Sequence, residues 1–383
     1  MRRTLFDEDH DAFRASVRTF VEREIQPYYQ EWAELGLVDR ELYTKAARQG
    51  LVGLQVPEEY GGAGATSYKF NAVFIEETIL GDANLGSLRV HSEVCLPYLL
   101  RYCMPEQRER WLPAVARGEL VLALAITEPG TGSDVAGVRT TARREGDHYV
   151  LNGAKTFITG GANADRVLVV CRTSPATEDD RRAGLSILVV DTRSAGFEVG
   201  RKLDKIGLRA QDTMELSFTD IRVPVEDLLG EEGKAFGYLA HNLAQERLTI
   251  AVAGMASAVR ALELATAYAQ ERSVFGKRLQ DFQNTKFVLA ECATEIAAGQ
   301  ALVDQSIEAL DRGMLTPADA ARAKLFVSEM QQRVVDKCLQ VHGGYGYINE
   351  YPIAGLYADA RVTRIFGGTS EVMKSIIAKS LGL

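Results

Sequence analysis

The chain has 383 residues, 46% hydrophobic and 25% charged, with a formal net charge of −8. That is a globular composition, long enough for two or three domains, and an acidic chain with scattered basic residues excludes a dedicated nucleic-acid binder, which needs a basic face. The five cysteines (95, 103, 171, 292, 338) and five histidines fall into no C-x-x-C, zinc or H-E-x-x-H spacing, so no metal site is expected and the thiols read as buried in a reducing, cytoplasmic setting.

The opening "MRRTLFDEDHDAFRASVRTF" has two arginines but no apolar h-region, so no secretory signal is read. No run of about 18 apolar residues predicts a membrane span. Residues 7 to about 118 read as helices: "DAFRASVRTFVEREIQPY" has helical apolar spacing, and "MPEQRERWLPAVARG" opens near a Pro and closes near a Gly. From 120 to about 225 the segments "LVLALAIT", "HYVLNGAKTFIT", "RVLVVCRT", "LSILVVD" and "MELSFTDIRV" are short, β-branched and separated by turn residues. Long helical periods then cover 234–272, 281–312 and 317–341, followed by two shorter ones. The expected architecture is α+β: an N-terminal helical domain (1–119), a middle β domain (120–233) and a C-terminal four-helix bundle (234–383). Strands do not alternate with helices, so a doubly wound sheet is excluded and "GTGSD" and "GGYGY" are not Rossmann turns.

Four stretches carry candidate chemistry. "AITEPGTGSDVAG" (125–137) ends a strand in a loop where Thr127 and Ser133 offer hydroxyls and Gly130 and Gly132 allow close backbone approach; it also reads as a plain polar turn. "NGAKTFITGG" (152–161) puts Phe157 and Thr159 on one strand face by period-two alternation, suited to a flat heterocycle or to an ordinary half-buried strand. "QERSVFGKRLQDFQ" (270–283) breaks two helices at Phe275 and Gly276 between Arg272 and Lys277, either a solvated loop or a phosphate clamp. "QVHGGYGYINEYP" (340–352) has three glycines where a helix C-cap needs one. A fifth, "RIFGGTSEVMK" (364–374), reads as a helix N-terminus open to a ligand, with no side chain at Gly367 or Gly368 to do chemistry.

Together these pieces resemble the acyl-CoA dehydrogenase family across essentially the whole chain. Thr131 stands where the family usually has a smaller residue, and Gly355 where it commonly has Lys or Arg. The resemblance implies an oxidoreductase acting on a CH–CH bond, with FAD between the middle domain and the C-terminal helices. It implies that Ile126 and Thr127, with Gly132 and Ser133, meet the flavin. Phe157 lies over its ring and Thr159 near N5. Arg272, Phe275 and Gln283 reach the FAD of a neighbouring subunit, Gln340, Gly343 and Gly344 lie along the adenosine-diphosphate half, and Thr369 and Glu371 complete the site. Ser133, Leu243, Arg247, Gly367 and Gly368 are the substrate-side residues it implies. The implied partners are an acyl-CoA substrate, an electron-transfer flavoprotein as acceptor, and three further copies in a homotetramer.

Many members place the catalytic Glu just before the Gly-Thr pair, where this chain has Gly367. A replacement lies on the helix after 234. Phe236, Leu239, Leu243, Ile250 and Ala253 form an apolar stripe, and Glu246 falls on it without a basic residue at i±3 or i±4. "LAQERLTIA" is similar to the segment by which long-chain and isovaleryl-CoA dehydrogenases place the base on this helix, and "LRAQDTMEL" and "DARV" also resemble the long-chain branch. Glu246 is therefore the expected base for oxidising a saturated acyl-CoA to the trans-2-enoyl-CoA. Two alternatives stand: a carrier-protein acyl or aminoacyl dehydrogenase or an acyl-CoA oxidase, and a silent flavin and acyl-CoA binder that lost its base at Gly367.

Overall fold

The computed structural model describes residues 3–383. The first helix, α1 (Glu8–Phe20), begins where the Asp7 carboxylate accepts the His10 N–H at 3.2 Å, satisfying one of the unpaired first-turn amides. A π turn (Val21–Ile25) leads to α2 (Gln26–Leu35), which stops at Gly36 in the left-handed region. Then come α3 (Glu41–Arg48), α4 (Tyr68–Leu80), α5 (Gly86–Arg89), a second π turn (Val90–Cys95), α6 (Leu96–Tyr102) and α7 (Pro105–Ala116). α4 is buried almost all round, because it lies between α1 and the C-terminal helices.

The middle segment forms one seven-stranded sheet: β1 (Leu122–Ala125), β2 (Thr141–Glu145), β3 (His148–Thr159), β4 (Arg166–Arg172), β5 (Leu185–Asp191), β6 (Phe197–Lys202) and β7 (Thr213–Pro224). The order is β1-β4-β2-β3-β7-β6, with β5 on the other side of β4. β1 runs parallel to β4, and β2 meets β4 in parallel at one pair; all other pairings are antiparallel. The β1-to-β4 connection is the β2–β3 hairpin rather than a helix, so no βαβ unit arises and the α–β–α reading of the sequence holds. Two irregularities break the β3–β7 register, between Leu151 and Gly153 and between Lys155 and Ile158.

α8 (Ala235–Glu271) is 37 residues long. An 18-residue window in it has mean hydropathy 1.5, but 61% of that window is buried inside the protein; it is the core helix against which α4, α9 (Gln283–Asp311) and α10 (Pro317–His342) pack. Between α8 and α9 the strands β8 (Ser273–Val274) and β9 (Lys277–Arg278) form a two-residue hairpin. Its tip residues Phe275 and Gly276 have φ of 49° and 74°, the positive values that a tight hairpin of the natural twist requires. α11 (Pro352–Ala360) and α12 (Ser370–Ser380) close the chain. The helices after 234 fall close to where their apolar periods predict them.

Candidate active site

The carboxylate of Glu246 defines the site. α8 carries it at the cavity formed where α5, the second π turn, β1, the end of β3 and the Gly367 loop converge, a space of about 210 Å³. Thr249, Ile250 and Ala253 line the same cavity, one and two turns further along α8. The other part of the predicted stripe, Leu239 and Leu243, packs into the core between the N-terminal helices and the sheet. Leu243 therefore lies outside the cavity, contrary to its expected place beside a substrate.

Glu246 is 9% exposed, and its Oε1 accepts one hydrogen bond, from the Tyr98 hydroxyl at 3.1 Å. It makes no ion pair among the described residues. Burial pushes its carboxyl up to about 7, against the smaller opposing effects of the Tyr98 hydrogen bond and the Arg247 charge. A carboxylate so held is half ionised near neutral pH, where a general base works best.

Gly367 has φ +63° and Gly368 φ +101°, conformations that side chains adopt rarely. A Cβ at Gly367 would run into Ile250 Cδ1, the end of a side chain that would have to turn aside. Arg247 Nε donates to the Gly367 carbonyl at 3.2 Å and Lys324 Nζ to the Gly368 carbonyl at 2.6 Å. Arg247 does not line the cavity but holds the carbonyl of Gly367, which does. Gly367 borders the cavity while Gly368 does not. The Thr369 hydroxyl accepts the Val372 N–H at 3.3 Å as the cap of α12, and Glu371 is exposed.

Phe157, Ile158 and Thr159 all line the cavity, so the expected two-residue alternation does not hold. The bulge between Lys155 and Ile158 puts Phe157 at φ +60°, an outlier for an aromatic residue that costs of order 1–3 kcal/mol. It leaves the ring 66% exposed at the cavity. Next to it, Lys155 Nζ donates to the Ile126 carbonyl at 2.8 Å and to Glu128 Oε1 at 2.9 Å, and the Thr156 N–H donates to the Thr127 carbonyl at 2.9 Å. Glu128 in turn accepts the N–H groups of Arg139 and Thr140. This buried network fixes Ile126 and Thr127, both of which line the cavity. Gln211 Nε2 donates to the Thr159 hydroxyl at 3.1 Å. An exposed aromatic face, two hydroxyls and fixed backbone groups suit a planar, hydrogen-bonding heterocycle.

A second cavity, of about 600 Å³, lies at the other end of α8 and α10. It joins Arg272, His342, Gly343, Gly344 and Tyr345, with the Arg272 guanidinium 5.8 Å from the Tyr345 ring centroid. Phe275 projects beside it, 96% exposed. No residue lines both cavities. Gly132, Ser133, Gln283 and Gln340 are exposed and lie outside both. Sequence reasoning missed Tyr98, Lys155, Glu128, Gln211, Lys324 and Arg89. All but Arg89 act across a fold contact, Tyr98 at 148 residues from Glu246, and leave no local pattern.

Three family models cover the chain in order: acyl-CoA dehydrogenase N-terminal domain over residues 7–119, middle domain over 123–221 and C-terminal domain over 233–382. The long-chain specific acyl-CoA dehydrogenase of Rattus norvegicus is 42% identical over 379 residues, 99% of this chain and 88% of the relative. The crystal structure of an acyl-CoA dehydrogenase from Geobacillus kaustophilus superposes with a TM-score of 0.97 at 43% identity, covering 100% of both chains. That of an acyl-CoA dehydrogenase complexed with FAD from Bacillus anthracis gives a TM-score of 0.90 at 30% identity, covering 98% of this chain and 67% of that one.

Proposed function

The chain belongs to the acyl-CoA dehydrogenase family, a family of FAD-dependent oxidoreductases, and from that membership we propose that it oxidises a saturated acyl-CoA to the trans-2-enoyl-CoA with Glu246 as the base. The observation that carries this reading is the single carboxylate at the Gly367 cavity, buried, without an ion pair, and lifted to about 7. A silent binder has no use for an uncompensated buried carboxylate, which costs stability.

The residues present fit FAD. A strained, exposed Phe157 beside Thr127 and Thr159 suits the flavin ring, and the Arg272–Gly343–Gly344 cavity suits a pyrophosphate, with a guanidinium and bare backbone. Ile126, Thr127, Phe157 and Thr159 would hold the ring, with Gly132 and Ser133 on the adjoining loop. Arg272, Phe275, Gln283, Gln340, Gly343 and Gly344 would hold the far half of a neighbour's FAD, and Thr369 and Glu371 stand at the start of α12. When bound, the flavin supplies the acceptor for the hydride that leaves the substrate's Cβ. Glu246 takes the α-proton. The amide of Gly367 or Gly368, in a loop whose carbonyls are held by Arg247 and Lys324, donates to the thioester oxygen as enolate charge develops. Tyr98 orients the carboxylate.

Domain boundaries near 119/120 and 233/234, a homotetramer, an electron-transfer flavoprotein acceptor and a cytoplasmic place of work belong to the same proposal. Anaerobic addition of a panel of acyl-CoA thioesters tests it: a substrate bleaches the flavin absorbance, whereas a binder only perturbs the spectrum.

Two results are expected at these residues. Tyr98→Phe removes the hydrogen bond that favours ionised Glu246, so the proton affinity of Glu246 rises. The wild-type kcat/KM should climb with pH to a plateau above about 7, and the variant's rising limb should move to higher pH. An unmoved limb would detach the observed titration from Glu246. Arg272→Ala should lose FAD on dilution, about 10- to 100-fold more readily than wild type, since a charge-assisted contact to phosphate is removed. Stoichiometric FAD held with native affinity, read by absorbance after gel filtration, would refute the clamp.

A further inference from the structure

The Glu246 cavity holds two charged side chains, and the chemistry above uses one. The other is Arg89, the last residue of α5, 8% exposed. It stands where the π turn Val90–Cys95 begins, and Val90 and Val94 of that turn line the cavity with it. The cavity's apolar lining includes Val90, Val94, Leu124, Ile250, Ala253 and Phe366, beside the polar Thr127, Thr159, Gln211 and Thr249.

The guanidinium is incompletely satisfied. Its Nη2 donates to Asn84 Oδ1 at 2.5 Å, while Nη1 is buried with no partner among the described residues. The carboxylates whose charge it feels, Asp359 and Glu93, are engaged elsewhere. Asp359 accepts the Leu208 N–H and Asn84 Nδ2, and Glu93 accepts Asn71 Nδ2 at 2.6 Å. Neither makes an ion pair with Arg89. A buried cation without an ionic partner is costly unless something else supplies one, and an arginine cannot shed its proton to escape that cost. Arg89 also feels Tyr68, whose hydroxyl lies 2.8 Å from the Thr249 hydroxyl, and Thr249 is on the turn of α8 next to Glu246. Arg89 and Glu246 line one cavity of about 210 Å³, so the charge borders the space that an acyl chain with its Cα at Glu246 would enter.

We propose that Arg89 is a specificity-determining residue, and that the acyl group this cavity takes carries a carboxylate on its chain, which pairs with the free Nη1. The inference rests on the reading of the chain as an acyl-CoA dehydrogenase with Glu246 as base. It adds the substrate class: the coenzyme-A thioester of a dicarboxylic acid. The apolar wall fits the methylenes between the two carboxyl carbons, and the guanidinium meets the second one.

The test uses the FAD-loaded enzyme and pairs of thioesters of equal carbon number, one ending in a methyl group and one in a free carboxylate, over a ladder of chain lengths. At one length or more the carboxylate member should have the higher kcat/KM by about 10-fold or more, the range for a hydrogen bond to a charged group. Arg89→Met should invert that ratio and Arg89→Lys should give an intermediate one. Because the ratio is read within each variant, any general loss of stability or flavin cancels. Calorimetric binding of the same pairs to the Glu246→Gln holoenzyme gives the discrimination without turnover. Should no thioester be oxidised, the dehydrogenase reading fails while the binding ratio still decides the role of Arg89. A preference for the methyl-ended member at every length, or an equal ratio in wild type and Arg89→Met, would leave Nη1 without a ligand partner and overturn the proposal.

Discussion

Glu246→Gln should fold, retain FAD and bind acyl-CoA, yet its flavin should be reduced by the best substrate at least about 10²-fold more slowly than in the wild type. The amide keeps the size of the side chain and a hydrogen bond with Tyr98 but cannot accept the α-proton. A folding control follows from the same burial. The folded carboxyl is raised to about 7 from an ordinary 4.5, so the group's contribution to stability is fully present below the ordinary value and is lost as pH rises through about 7. Glutamine has no such titration. The melting temperature of Glu246→Gln should therefore gain on wild type as pH rises from the ordinary 4.5 to about 7 and hold that gain above it, while its rate of flavin reduction stays low. Stopped-flow absorbance under anaerobic conditions reads the rate. Reduction as fast as in the wild type would mean that another group takes the proton.

The sequence marks the proposed base through a conflict: an acid on an apolar stripe, together with a position without a side chain at Gly367. Helical period alone gives α8 to α12, because long segments with one-sided burial repeat the signal many times. It gives less where local rules are broken for function. The alternation in "KTFIT" predicts one face for Phe157 and Thr159, but the bulge turns Phe157, Ile158 and Thr159 all to the cavity. A strained φ leaves no trace in residue type when the residue is not glycine. Arg247 illustrates the opposite failure. Its neighbour in sequence is the proposed base, yet its guanidinium serves the glycine loop 120 residues away. Lys324, buried and lifted out of its usual range down to about 8 by burial and by Arg247, serves the same loop from α10. Such contacts exist only after the domains have packed, so neither spacing nor composition encodes them.

That loop sets the second large effect. Gly367→Ala should lower kcat/KM about 10²-fold while FAD stays bound. A side chain at φ +63° costs about 1–2 kcal/mol in backbone strain, and the new Cβ would overlap Ile250 Cδ1. The loop cannot relieve both by rotating, because Arg247 and Lys324 hold its two carbonyls and a rotation strips buried cations of their acceptors. What gives is the aim of the amides that polarise the thioester, and a misplacement of about 1 Å there can cost about 10²-fold. Ile250→Ala in the same chain should restore part of the rate by removing the overlap but not the strain. The argument extends to moving the base. Glu246→Gly with Gly367→Glu moves the carboxylate to the loop, where its Cβ would meet Ile250 Cδ1 and the isoleucine must turn aside; the exchange should recover more flavin reduction when Ile250 is also cut to Ala. Wild-type kcat/KM in Gly367→Ala would show that the loop tolerates a side chain, and would leave the glycine, and with it the position of the base on α8, without a steric reason.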